Sequence, residues 1–460
     1  MPLVIFTSTR YHDYRRELFI VDRQKLPVHS DLETYLLAAD STRKLSTNDI
    51  GAMFYSNVMA IVLGLIFGLN SSLVSPVVME MFSVLAMLPV TLIKGFAGPL
   101  LFLAICLGFM SDQPVLPGVR KLFLICLTNA FFAVIIALFL VNILRPGQHL
   151  IDLVSSISAS NLVGQTLGTK SVSWVDAVKS IAPDSILSPF LSNNIPAILT
   201  LAILVGVGAR LQGRTEEGWQ PWFTKLRDGI EIALGIVSKV LLIILKLMPL
   251  AIFAAVAKAV GSHGVGVFKG LSWYVGVTVS GMLLQVFLVY HLWIMQRARR
   301  SLREFWRYAK VPVLYAFGVN SSLSSLPATL SALDQLGCSK ASSRLGACVG
   351  TNFNNDGILL YEVAAVLMLA QGFNFDWSII NQAGVALLCV MATLGVSGFP
   401  EAGIVALSLV LPMAGLPVEL IPLLLPVDWF VARCRSATNV VSDMTVSLAI
   451  DGPKLESAKG

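Results

Sequence analysis

The chain contains little charge for its length. Only 13% of its 460 residues are Asp, Glu, Lys or Arg, about half the usual share in soluble domains, whereas 55% are hydrophobic. So few charges cannot cover a water-soluble surface of this size, which excludes a soluble multidomain enzyme. Charge-free runs long enough for the ~20 apolar residues of a bilayer-spanning helix cover 122–144, 185–209, 270–296 and 377–400. We therefore expect a polytopic membrane protein.

Cysteine and histidine are also scarce, with six and five residues respectively. The cysteines lie in or beside apolar stretches without a close pair, which indicates buried thiols rather than disulfides or a metal site. Only His291 lies in a spanning run, so a haem held by paired intramembrane histidines is not expected. No Ser/Lys, Ser/His or metal-ligand constellation is evident at membrane depth, and an intramembrane enzyme is the least favoured class.

Basic residues concentrate at one place instead of forming a stripe that would bind nucleic acid. Six of the 33 Lys and Arg fall within 297–310, against the single acid Glu304. A basic cluster beside a spanning segment is typical of a cytoplasmic loop. The first 46 residues are polar and lack a signal-peptide pattern, so we expect residues 1–46 and 451–460 in the cytoplasm. Spanning segments are predicted near 50–69, 73–110, 116–145, 186–210, 228–258 and 268–296, with an outside loop at 146–185.

After residue 310 the apolar segments are interrupted by Ser, Asn, Gly and Pro. One interruption covers 320–327 within 303–335, and another covers 395–403 within 378–416. Non-helical backbone at membrane depth must be buried or line a cavity, and paired broken helices are typical of transporter substrate sites. Their half-helix N-termini would direct N–H groups at an anion. Two ordinary kinked helices account for the interruptions equally well.

Two groups of ionisable residues follow. The run Asn354-Asn355-Asp356-Gly357 lies in an apolar segment near 343–371, where Gly357 permits unwinding and frees carbonyls beside a carboxylate. Oxygen ligands of this kind suit a hard cation such as sodium.

The last apolar segment carries the second group on one helical face. Asp428, Arg435, Asn439 and Asp443 are spaced so that all four share a stripe that is too costly to face lipid. A guanidinium is the natural bidentate partner of a carboxylate ligand, so the stripe predicts a binding site. A structural ladder of ion pairs between helices is the alternative.

Together these residues resemble the dicarboxylate/amino acid:cation symporter family, also called the glutamate transporter family, over roughly 47–450. The likeness is sharpest at a Ser-rich tip, an Asn-Met-Asp-Gly-Thr-like motif, a Gly-rich tip and the last helix. These correspond to 321–327, 354–357, 398–403 and 428–443.

The resemblance implies an all-α fold with eight transmembrane helices and two re-entrant hairpins at about 303–335 and 378–416. It also implies a homotrimer in the plasma membrane, which would be the inner membrane of a bacterium. A scaffold (about 47–110 and 186–258) would hold a transport domain (about 114–145 and 268–450) that moves like an elevator.

Site roles are carried over by position. Arg435 would hold the distal carboxylate of the substrate, while Asn439 and the tip near Ser322 would hold the other. The full set of implied substrate contacts is Ser321, Ser322, Leu323, Ile358, Ser397, Phe399, Pro400, Ala432, Arg435, Ser436 and Asn439. The implied sodium ligands are Thr128, Asn129, Asn354, Asp356, Asn439, Asp443 and the backbone around Ser397.

Departures from the family pattern refine the expected substrate. Amino-acid transporters of the family carry an Asp three residues before the arginine, and here that position is Ala432. A buried ammonium without a partner costs several kcal/mol, which disfavours amino acids. Asp443 occupies a position where proton-coupled bacterial members commonly carry Asn, which favours sodium. Asn355, Ile358 and Ile125 replace a Met, a Thr and a Tyr of the family pattern.

The sequence thus predicts a sodium-coupled importer of a C4-dicarboxylate such as succinate, fumarate or malate. One alternative is a sodium- or proton-coupled symporter of acidic amino acids, in which Glu401 would replace the missing acid. Another is a channel-like or receptor-like protein that binds a dicarboxylate without coupled transport.

Overall fold

The computed structural model describes residues 47–70, 75–110, 118–151, 181–183, 185–215, 219–394 and 402–453. These residues are helical or irregular, with no strand among them. The predicted N-terminal segment 1–46, most of the outside loop 146–185 and the second tip at 395–401 lie outside the described residues, as does the end of the tail.

The first half of the described chain forms a group of seven α-helices. Its members are α1 (Thr47–Leu69), α2 (Pro76–Met110), α3 (Val119–Leu144), α4 (Ser188–Ser192), α5 (Ile195–Thr215), α6 (Gln220–Leu245) and α7 (Met248–His263). Helix α1 packs along α7, and α2 packs against α5, α6 and α7. A Cβ on Gly64 would lie 2.8 Å from the Phe253 carbonyl oxygen, so this small residue permits the close approach of α1 and α7.

The remaining helices build the second half. They are α8 (Val267–Leu284), α9 (Leu302–Val319), α10 (Leu326–Gln335), α11 (Lys340–Arg344), α12 (Asp356–Gly372), α13 (Ile379–Thr393), α14 (Ala402–Met413) and α15 (Ile421–Asp451). Helix α8 continues through two π-helical segments, Gln285–Tyr290 and Trp293–Arg297. Short π-helical segments in such helices often occur at functional sites. Helix α12 packs against α3, α8, α13 and α15.

Several helices are long and apolar enough to cross a membrane. By length and composition these are Val77–Met110, Val119–Leu144, Ile195–Gly213 and Gly264–Arg297. The pair Gln220–Leu245 and Met248–Ser262, bent by 43°, qualifies as a fifth span if it counts as one. These stretches coincide with five of the six spans predicted before residue 297, and the remaining segment contains the shorter apolar helix Tyr55–Leu69. The chain is therefore a helical, multi-pass membrane protein.

Each interrupted segment of the second half contains two helices that pack against each other. Helix α9 ends at Asn320, whose φ of 53° is left-handed, and a 3-10 turn at Leu323–Ser325 leads into α10. Helices α9 and α10 pack together and against α15, and α13 packs against α14. We call α9–α10 the first hairpin and α13–α14 the second hairpin. The first interruption thus lies between two packed helices, whereas the second interruption itself falls outside the described residues.

The segment before α12 is irregular, as the sequence predicts. A π-helical turn (Leu345–Val349) and a 3-10 turn (Gly350–Asn352) precede the break, and Asn355 has non-helical dihedrals. A Cβ on Gly357 would lie 2.8 Å from the Arg435 carbonyl oxygen. Glycine therefore allows the start of α12 to rest directly on the backbone of α15.

A candidate substrate and cation site

A small cavity lies where the first hairpin, α12, the start of α14 and the middle of α15 meet. Its volume is about 20 Å³, which is near that needed by a single water molecule. A larger ligand therefore requires movement of the walls. The cavity is lined by Asn320, Ser321, Ser322, Ile358, Ala402, Gly403, Ala432, Arg435, Ser436 and Asn439.

Seven of the residues predicted as substrate contacts line this cavity, coming from three separate elements. They are Ser321, Ser322, Ile358, Ala432, Arg435, Ser436 and Asn439. Leu323 is half-buried in the 3-10 turn and is not part of the lining. Ser397, Phe399 and Pro400 lie outside the described residues. Asn320, Ala402 and Gly403 were not predicted, and Asn320 accepts a hydrogen bond from the Ser436 hydroxyl at 3.2 Å.

Arg435 is the positive charge of the cavity wall and is only 3% exposed. Its Nη1 lies 3.6 Å from Asp428 Oδ1, and its guanidinium carbon lies 4.1 Å from the centre of the Tyr361 ring. A desolvated cation over an aromatic face gains about 2 kcal/mol. Since a guanidinium has five N–H donors, Arg435 can bind a carboxylate while remaining close to Asp428.

The first turn of α14 lies in close contact with the Arg435 guanidinium. A Cβ built on Gly403 would collide with Arg435 Nη1 and would also lie 2.8 Å from Tyr361 Cε1. Any side chain at this position would displace the arginine. The lack of a side chain at Gly403 therefore leaves the space that the Arg435 guanidinium occupies.

Asn439 is held at both ends of its amide by Asn355, just before α12, and by Gly357, in the first turn of α12. The Gly357 N–H donates to Asn439 Oδ1 at 3.0 Å, and Asn439 Nδ2 donates to Asn355 Oδ1 at 3.4 Å. Asn355 Nδ2 in turn donates to the Thr393 carbonyl at the end of α13, also at 3.4 Å. Asn355, a departure from the family motif, therefore links the cavity wall to the second hairpin.

Next to the cavity, amides and a carboxylate from α3, α15 and the irregular segment before α12 form a connected polar chain. Asn129 Nδ2 donates to Asn354 Oδ1 at 3.3 Å, and Asn354 Nδ2 donates to Asp443 Oδ1 at 3.4 Å. Trp293 Nε1 donates to Asn129 Oδ1 at 2.9 Å. The structure therefore brings together three of the predicted sodium ligands. By contrast, the Thr128 hydroxyl donates to the Leu124 carbonyl of its own helix at 2.7 Å.

Asp356 has its own hydrogen-bond partners, separate from those of the polar chain just described. Its Oδ2 accepts hydrogen bonds from the Tyr290 hydroxyl at 2.7 Å, the Ser442 hydroxyl at 3.1 Å and Gln285 Nε2 at 3.4 Å. Gln285 also donates to the Asn129 carbonyl at 3.0 Å, which joins the two sets. Gln285 and Tyr290 come from the π-helical part of α8. Sequence reasoning missed them, because nothing in their local pattern distinguishes them from ordinary residues of a spanning helix.

Among the described residues between 354 and 443, buried acids outnumber buried cations. Asp356, Glu362, Asp428 and Asp443 are at most 4% exposed. The buried basic residues of the same stretch are Arg433 and Arg435. Neither Glu362 carboxyl oxygen has a hydrogen-bond partner among the described residues. An excess of buried carboxyl groups is costly unless protons or bound cations balance it.

The chain is a helical membrane protein with an arginine-lined cavity, and comparison with known proteins identifies its family as one of transporters. The model of the sodium:dicarboxylate symporter family matches residues 53–452, so the chain belongs to this family.

Individual relatives match over most of their length. The chain is 27% identical over 403 residues to a "C4-dicarboxylate transport protein" of Stenotrophomonas maltophilia. The aligned region covers 86% of this chain and 87% of the relative. It is also 28% identical over 365 residues to a protein of the same name from Rhodospirillum rubrum, and this aligned region covers 78% of the chain and 80% of that relative.

Proposed function

We propose that the protein is a secondary active symporter that imports a C4-dicarboxylate of the succinate, fumarate or malate type together with sodium. The observation that carries the proposal is the cavity wall, in which Arg435 is the cation. Ala432, one turn earlier, presents a methyl group, and the described residues of the wall include no acid to pair with an ammonium. The printed name of the relatives, C4-dicarboxylate transport protein, supports the same substrate class.

The polar groups of the cavity wall suit the two carboxylates of such a substrate. The Arg435 fork would take one carboxylate through two parallel N–H bonds. Asn439 Nδ2 and the hydroxyls of Ser321 and Ser322 would donate to the other carboxylate. An amino acid would bring an ammonium next to the Ala432 methyl group, where it would lose its hydration without gaining a partner.

The proposed coupling ion is sodium. Asn129, Asn354, Asp356 and Asp443 present amide and carboxylate oxygens of the kind that hard cations prefer. Bound sodium would also balance the excess of buried carboxyl groups around the cavity. Thr128 and the backbone near Ser397 remain predicted contributors.

We further propose an elevator-like division of the chain. The helices of the expected scaffold, 47–110 and 186–258, pack mainly on each other, while α12 packs on α3, α8, α13 and α15, all in the expected transport domain. The transport domain would carry the cavity across the membrane, with the second hairpin as gate. Eight crossings, two re-entrant hairpins, a homotrimer, cytoplasmic termini and a location in the plasma membrane, the inner membrane of a bacterium, complete the proposal.

Uptake by purified protein in liposomes tests the function. Labelled succinate and labelled aspartate are supplied under an inward sodium gradient, a proton gradient, or neither. We expect succinate to accumulate under the sodium gradient and aspartate to remain outside.

Each of the other possible outcomes would contradict one part of the proposal. Accumulation driven by protons would refute sodium coupling. Aspartate uptake would refute the argument from Ala432. Succinate that equilibrates without accumulating would favour a channel-like protein.

A further inference from the structure

Helix α9 carries a row of cations on its exposed face. Arg303, Arg307 and Lys310 are all exposed and are spaced four and three residues apart. At 3.6 residues per turn they lie within a narrow arc of the helix surface. The buried side chains Phe305, Ala309, Pro312 and Ala316 occupy the opposite face and anchor the helix in the protein.

The same exposed arc becomes apolar in the second half of the helix. Leu314 is 68% exposed, Val311 60% and Tyr315 41%. Leu314 lies one turn after Lys310 on the arc, and Val311 and Tyr315 lie on the flank of the helix beside the arc. We call the set Arg303, Arg307, Lys310, Val311, Leu314 and Tyr315 the α9 face.

More positive charge surrounds the basic end of this face. Arg297 and Arg299 are exposed in the segment that leads into α9. The Ser301 hydroxyl accepts a hydrogen bond from the Glu304 N–H at 3.1 Å, which fixes where the helix starts and therefore where the cations begin. Glu304 is the single acid between residues 297 and 310.

We propose that the α9 face binds an anionic phospholipid. The cations would contact the phosphate and the charged headgroup, and the acyl chains would lie along Val311, Leu314 and Tyr315. Guanidinium groups suit phosphate because they donate parallel N–H bonds to two of its oxygens. The α9 face carries charged side chains at one end and apolar side chains at the other. A phospholipid likewise has a charged headgroup at one end and acyl chains at the other.

The apolar half of the face decides between a lipid and other anionic partners. Cations alone are commonly a solvated surface, and a soluble anion would use only Arg303, Arg307 and Lys310. A soluble anion gives no reason for a 68% exposed leucine one turn further along. Asn320, the residue that follows α9, lines the cavity. The bound lipid would therefore lie on the helix that positions this part of the cavity wall.

Lipid binding to the purified full chain tests the inference. The protein in neutral detergent is titrated with phosphatidylglycerol or phosphatidylcholine, and bound lipids are counted by native mass spectrometry. The basic variant is R303Q/R307Q/K310Q. Its matched control, R120Q/K340Q/R344Q, removes three exposed cations from other helices. Leu314→Asn tests the apolar half.

We expect phosphatidylglycerol to bind at least tenfold more tightly than phosphatidylcholine to the unaltered chain. Each cation near an anionic lipid contributes about a factor of five, so the basic variant should lose more than tenfold in affinity, and its control less than twofold. Leu314→Asn should weaken both lipids. Equal losses in the basic variant and its control would refute the site. An effect of the cations without any effect at Leu314 would refute a lipid as the occupant.

Discussion

Removal of the Arg435 guanidinium should separate substrate binding from folding. Arg435→Gln retains a hydrogen-bonding side chain but removes the charge and the fork. Truncating one partner of a buried, hydrogen-bonded charge pair costs about 2–5 kcal/mol. Because 1.4 kcal/mol corresponds to a tenfold change, succinate should bind roughly 30- to 3,000-fold more weakly. Isothermal titration of the purified protein with succinate in sodium buffer measures this loss.

The same substitution should also destabilise the empty protein. Asp428 is 2% exposed and lies 3.6 Å from the guanidinium, so Arg435→Gln leaves a buried carboxylate without its cation. Breaking a buried pair in this way costs about 3–5 kcal/mol. The double variant R435Q/D428N should recover most of the lost thermal stability without recovering succinate affinity.

Two controls make the result specific. Arg435→Lys keeps the charge but loses the fork, so it should fold well and still bind at least ~10-fold more weakly. Arg433→Gln removes a neighbouring guanidinium that donates to the Trp429 carbonyl at 2.6 Å and is not part of the cavity lining. It should change affinity less than threefold. If Arg435→Gln bound succinate within threefold of the unaltered protein, the assigned role of the arginine would be wrong.

Three further predictions concern neighbouring positions. Ala432→Asp should place an acid beside the cavity, so aspartate should compete with labelled succinate where it did not before, and an unchanged competition curve would contradict the ammonium argument. Asp443→Asn should raise the sodium concentration needed for half-maximal uptake by ~10-fold or more, whereas an unchanged sodium dependence would exclude this carboxylate as a ligand. Gly403→Ala should displace Arg435 and abolish succinate binding, while Gly276→Ala, whose Cβ would meet open space, should bind normally; equal binding by both variants would show that the wall adapts.

Much of the fold is predictable because its signals are local. Apolar runs and the charges that flank them predict the long helices, and Ser and Pro predict the interruption that begins at Asn320. Gly357 correctly indicates an irregular segment. The shared face of Asp428, Arg435 and Asn439 follows from helical periodicity alone, since these residues belong to one continuous helix.

The composition of the site is predictable only in part. Thr128 and Asn129 are consecutive in the sequence, but successive residues of a helix point about 100° apart. Asn129 therefore bonds Asn354, while the Thr128 hydroxyl returns to its own backbone. The position of Tyr361 under the Arg435 guanidinium has no sequence signal.

The sequence by itself determined that this is a helical membrane protein with two interrupted segments and a charged last helix, because each property depends on residues within one or two turns. Only the tertiary structure decided which side chains meet. Asn129 reaches Asn354 across 225 positions, Tyr290 reaches Asp356 across 66, and Gly403 meets Arg435 from a different helix. Such contacts depend on how helices pack, and packing is set by the combined shape of many side chains rather than by any single pattern along the chain.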